Sequence, residues 1–84
     1  MKPKHKKTLE RIFSRPVSGN IKWKDIEALF IALGAEVNER EGSRVAVVLF
    51  NEVRIFHRPR PMPTTDKGAV SSIRKWLEKH GVTP

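Results

Sequence analysis

The chain has 84 residues, enough for one domain with one modest core, since folding at this size hides only about 60–65% of the unfolded surface. It has no cysteine, which excludes disulfides, thiolate metal sites and cysteine nucleophiles together. Lys and Arg total 17 against 9 acidic residues, for a net charge of +8 and a pI near 10.5. Such an excess favours a polyanionic partner, and nucleic acid is the commonest, because each neutralised phosphate releases condensed counterions. An acidic protein partner gains from the same field, and a merely basic surface is the bland alternative.

Residues 1–20 form a basic extension. Met1 to Lys7 has no signal-type apolar stretch behind it, and the longest apolar run, Val45 to Phe50, is too short to span a bilayer, so a cytoplasmic location is expected. The first few residues are expected to be disordered. From Thr8, the spacing of Leu9, Ile12 and Phe13 predicts a short amphipathic helix that Pro16 stops. That helix either faces RNA as an arm or covers one end of the core.

The next helix carries Trp23, Ile26, Leu29, Phe30 and Leu33 at i+3 and i+4 spacing, one apolar stripe closed by Gly34. Ala35 to Arg40 reads as an alternating strand, Glu41-Gly42-Ser43 as a turn, and Arg44 to Phe50 as a β-branched strand. Asn51-Glu52 is the expected hairpin turn, leading into a third strand, Val53 to His57, that Pro59 and Pro61 end. Phe50 then pairs with Val53, His57 faces Ala46, and Arg44 lies diagonally beside His57 on the same sheet face. The two faces of this hairpin are nearly equally apolar, so periodicity leaves open which one meets solvent.

Arg58-Pro59-Arg60-Pro61-Met62-Pro63 reads as a stiff cationic loop whose pinned backbone limits the freedom its guanidinium groups lose on meeting a phosphate. A final helix follows, with Asp66 as N-cap, Val70, Ile73, Trp76 and Leu77 as its buried stripe, and Gly81 at its end. The expected fold class is α+β: an α-β-β-β-α domain with a three-stranded antiparallel sheet, two helices on one face, and a short extra N-terminal helix. That is the layout of a double-stranded-RNA-binding domain.

The chemistry-bearing residues are few. His5 lies in the basic tail, and His80 complements the dipole at the end of the last helix. His57 ends the third strand beside Arg58 and Arg60. A neutral imidazole there can take the proton of an RNA 2′-hydroxyl, and Arg44 can stabilise charge building on the phosphorus oxygens. The alternative is that His57 merely finishes a strand. Arg58, Arg60, Lys67 and Arg74 are the phosphate-gripping candidates. No phosphate-cradling Gly-rich loop and no metal-ligand spacing occurs, so neither metal nor cofactor is expected.

From Ile21 onward, these motifs in order resemble the HicA (YcfA-like) toxins of bacterial HicAB toxin–antitoxin modules. The residues that carry the resemblance are Leu33-Gly34-Ala35, the Gly42-Ser43 turn, the histidine ending strand three, Lys67-Gly68, and His80-Gly81-Val82. The resemblance implies a HicA-like domain over 21–84 with a double-stranded-RNA-binding-like fold. It also implies an mRNA-cleaving endoribonuclease and a HicB-like antitoxin that covers the active surface. It carries Gly42, Ser43 and His57 into the site. Typical members have histidine directly after the Gly-Ser turn, regarded as catalytic, and here that position is Arg44. Two readings follow: His57 acts as base with Arg44 as its electrostatic partner, or the chain is a non-catalytic RNA-binding module.

Overall fold

Two helices come first, α1 (Pro3–Ile12) and α2 (Trp23–Ala32), then strands β1 (Glu36–Glu39), β2 (Arg44–Leu49) and β3 (Glu52–His57), and last α3 (Lys67–Lys79). The computed structural model describes residues 1–59 and 63–84; Arg60, Pro61 and Met62 of the expected cationic loop lie outside the described residues. The strands form one antiparallel sheet in the order β1-β2-β3. Together these elements make the expected α+β layout. Among the described residues no helix is long and apolar enough to cross a membrane.

Helix α1 starts at Pro3 rather than near Thr8, so the basic segment expected to be disordered is helical. Proline at the first helical position is pre-set for the helix and lacks only an N–H that would be unpaired there anyway. Leu9 and Ile12 join one core with α2, β2 and α3. Burying those two side chains contributes about 3–6 kcal/mol. That exceeds repulsion among neighbouring cations, a few tenths of a kcal/mol per pair, and the ~0.3–1 kcal/mol cost of each lysine at the wrong end of the helix dipole.

Helix α2 buries Trp23, Ile26, Leu29 and Phe30, and α3 buries Val70, Ile73, Trp76 and Leu77. Both stripes meet Val45, Val47 and Leu49 of β2, so both helices cover the same sheet face. Phe30 joins the layers, stacked on Phe56 at 5.8 Å between centroids and edge-on to Trp76 at 5.8 Å. The Asp66 side chain accepts a 2.6 Å hydrogen bond from the Ala69 N–H, which caps α3. The starts of α2 and α3 are tied together: Trp23 N–H donates to Pro63 O at 3.0 Å, and Thr65 N–H to Ile21 O at 2.7 Å.

The β2–β3 hairpin turns one residue earlier than expected. Leu49 pairs with Glu52, leaving Phe50-Asn51 as the two-residue loop, with φ of 56° and 60°. Both loop positions of this turn type need positive φ, and asparagine tolerates that where glutamate does not. Phe50 is unfavourable there but stacks on His80 at 4.2 Å and meets Trp76 edge-on at 5.6 Å. Those tertiary contacts hold a backbone state its own propensity disfavours.

Candidate active site

The shift in the turn moves the strand pairing by two residues. Arg44 lies directly opposite His57, and Ala46 faces Ile55 rather than His57. The shift is even, so Arg44 and His57 still share a sheet face, but the diagonal relation expected from the sequence becomes a direct one. Arg58 N–H donates to Ser43 O at 2.8 Å, which makes Ser43 and Arg58 a hydrogen-bonded pair. Hydrogen-bonded and non-hydrogen-bonded pairs alternate, so Arg44 and His57 form a non-hydrogen-bonded pair, the closer kind, ~4.5 Å between Cα atoms.

This pair faces away from the helices. Val53 and Ile55, which precede His57 on the same face of β3, are 62% and 52% exposed. Arg44 and His57 are exposed as well, while Val45 and Phe56 between them in sequence point into the helix layer. The face left open by periodicity is therefore decided: the imidazole and guanidinium stand on the open side. The opposite face is covered because it meets the ring cluster of Trp23, Phe30 and Trp76 around Phe56.

The Gly42-Ser43 turn sets the start of β2. Both residues have positive φ, 64° and 67°. Glycine adopts this without penalty, whereas serine pays a steric cost for bringing Arg44 into line with His57. The Arg44 Nε–H donates to Glu41 O at 3.2 Å, which folds the guanidinium over the turn. Among the described residues, that guanidinium makes no ion pair, and Arg44, like His57, is exposed.

Arg58 is at the same end of the sheet but on its other side. Its guanidinium donates to Glu39 Oε1 at 2.9 Å and lies 3.8 Å from Glu27 Oε2. Glu27 in turn accepts from the Trp23 indole N–H at 2.8 Å. This chain of contacts was not read from the sequence, although Glu27 stands four residues after Trp23 and so on the same helix face. Lys67 is exposed at the first turn of α3, and Arg74 is half-buried further along that helix, both in the layer behind the sheet. The structure thus brings Gly42, Ser43, Arg44, His57 and Arg58 together at one end of the β2–β3 pair. Lys67 and Arg74 belong to the helix layer, and Arg60 lies outside the described residues.

His80 is the other histidine with a defined partner. Its Nε2 lies 2.9 Å from Glu52 Oε2, and Glu52 Oε1 accepts from the Trp76 indole N–H at 3.1 Å. This cluster sits at the turn end of the hairpin, the opposite end of β3 from His57. Among the described residues no three His, Asp or Glu side chains converge as a metal-binding group would require.

Residues 23–82, from the first residue of α2 to just beyond α3, match the family model described as HicA toxin of bacterial toxin-antitoxin. No curated protein and no solved structure matches the chain. The matched span takes in the Gly42-Ser43 turn, Arg44, His57 and the whole of the sheet, and leaves α1 outside it.

Proposed function

The chain belongs to the HicA toxins of bacterial toxin–antitoxin systems, and on that premise we propose that it is a metal-independent endoribonuclease acting on mRNA in the cytoplasm. The observation that carries this reading is the direct cross-strand pairing of Arg44 with His57 on the open sheet face. His57 takes the proton of a 2′-hydroxyl, and the freed oxygen bonds to the adjacent phosphorus. The P–O5′ bond breaks and the leaving 5′-oxygen takes a proton from water, which leaves a 2′,3′-cyclic phosphate and a 5′-hydroxyl. Arg44 stabilises the negative charge that builds on the non-bridging oxygens. Gly42, Ser43, Arg58, Arg60, Lys67 and Arg74 are proposed to hold the RNA backbone.

The partner that a toxin of this kind requires is an antitoxin, proposed here to be HicB-like. Val53 and Ile55 present two exposed apolar side chains next to His57 on the outward row of β3. Docking against that row buries apolar area and closes the imidazole off from RNA in one contact.

The test compares cleavage of single-stranded RNA in EDTA by the wild-type chain, His57→Ala and Arg44→Ala, each checked to be folded. Loss of cleavage in both variants supports the mechanism. If wild type cuts and both variants cut equally well, the reaction is run by other residues. A second reading is favoured by Arg44 itself, which stands where typical members have histidine: a non-catalytic RNA-binding module. RNA that is bound but left intact by the wild type would replace the enzyme with that module.

A further inference from the structure

We infer that the outer face of α1 is an auxiliary contact for the RNA backbone, separate from the Arg44–His57 face and outside the span shared with the toxin family. Lys4, Lys7 and Arg11 recur at i, i+3 and i+7, so they share one side of α1, and all three are exposed. They line a shallow hollow of about 290 Å³ whose floor includes the buried Thr8 and Ile21 and whose far wall includes Asp25 on α2. At 1.5 Å of rise per residue the three cations extend over ~10 Å of helix axis. A nucleic-acid strand presents a phosphate every few ångströms over such a length.

The electrostatics of α1 are unfavourable in the free protein, and that is the observation that points to a polyanion. A helix N-terminus favours negative charge, yet α1 has no acidic residue in its first turn and no side-chain cap on Lys2. Lys2, Lys4, Lys6 and Lys7 crowd that end instead. Lys4 and Lys7, and Lys7 and Arg11, are also like-charged neighbours on one face. Among the described residues none of these cations forms an ion pair, although Glu10 belongs to the same helix and Asp25 lines the same hollow. The helix is held by Leu9 and Ile12 from the core side, so its outer face keeps a charge distribution that opposes its own stability. Local rules are broken in this way where a surface serves a partner. A phosphate strand relieves both the mutual repulsion and the conflict with the helix dipole.

This inference rests on the RNA reading of the proposed function, but its test does not need cleavage. The full chain carrying His57→Ala is titrated with a single-stranded RNA oligonucleotide across a range of salt concentrations, with and without Lys4→Gln/Lys7→Gln/Arg11→Gln. Each lost phosphate contact flattens the log–log salt slope by ~0.7 for single strands, so the triple variant should lose about 2 from its slope and bind roughly 10–100-fold more weakly near 0.1 M salt. The same variant should melt at a higher temperature than its parent, because the repulsion on α1 is gone. A charge-matched control, Arg15→Gln/Lys24→Gln/Lys75→Gln, should keep a steeper slope and tighter binding. Equal losses in the two triple variants would reduce the effect to net charge and overturn the inference. Unchanged RNA affinity with lost binding of polyglutamate would assign the face to an acidic protein and overturn it likewise. If the parent binds no RNA at all, this inference and the ribonuclease reading fail together. RNA bound by the parent through α1 but left uncut by the wild type removes only the nuclease.

Discussion

Oε2 of Glu52, at the first residue of β3, lies 2.9 Å from Nε2 of His80, the residue that closes α3. A carboxylate only accepts, so the imidazole Nε2–H donates. The hydrogen bond from His80 is the main reason the Glu52 carboxyl lies below the ordinary carboxylate range. Partial burial works against it, and the Trp76 indole N–H and the charges of Lys79 and His80 lower it further. The contact ties the hairpin turn to the end of the last helix.

Glu52→Gln tests that tie. A carboxyl held lower in the folded protein than in the unfolded chain contributes stability above the unfolded value, ~4.3 for glutamate. The contribution is lost as the pH falls through the lower folded value. The variant should therefore melt below wild type at pH 7, and the two melting curves should converge as the pH drops through the carboxylate range. Circular dichroism melts at several pH values read this directly. A gap that stays constant to pH 3 would mean that Glu52 acts through packing rather than charge.

Arg44→Lys tests whether the position needs a guanidinium or only a positive charge. Lysine keeps the charge but not the planar fork that can meet two phosphate oxygens at once. Cleavage should fall at least about tenfold, towards the 10²–10³-fold loss typical of removing a transition-state donor. RNA affinity and its salt slope should change little. Equal cleavage rates for Arg44→Lys and wild type would make Arg44 a general phosphate clamp.

Arg58→Ala removes the cation that Glu27 and Glu39 share. The side chain is 29% exposed, so solvent screens the pair only in part. Unfolding in urea should show a loss of about 1 kcal/mol, a fall of ~4–8 °C in Tm for a chain of this size. Arg40→Ala, an exposed cation of the same strand end, should be near neutral.

Ile12→Ala tests whether α1 is part of the domain. Ile12 is fully buried in the same cluster as Phe30 and Trp76. Truncation should cost about 2–5 kcal/mol, as for any well-packed aliphatic side chain. A loss below ~1 kcal/mol in urea melts would make the first twenty residues a detachable arm instead.

Much of the architecture was legible because it is written in local patterns. The i+3 and i+4 spacing of Trp23, Ile26, Leu29 and Phe30 announces α2, and Asp66 announces the cap of α3, since both depend on residues within a turn or two. Gly34 and Gly81 mark helix ends at φ of 99° and 77°, where few other residues fit. The candidate site was legible in part. His57 and Arg44 share a face whether the loop is Asn51-Glu52 or Phe50-Asn51, because the two registers differ by an even number of residues.

What the sequence by itself determined was the order and type of the elements, the net charge of the chain, and which residues are the candidates for chemistry. The tertiary structure decided three further things, each through contacts distant in sequence. The packing of Phe50, stacked on His80 and edge-on to Trp76, places the hairpin turn and so sets Arg44 squarely across from His57. The rings of Trp23, Phe30 and Trp76 choose which of two equally apolar sheet faces is covered, and leave Val53, Ile55 and His57 on the other. Burial of Leu9 and Ile12 makes a helix of a lysine-rich segment that its own electrostatics oppose. In each case the deciding free energy comes from side chains packing between elements, and that term has no period along the chain from which it can be read.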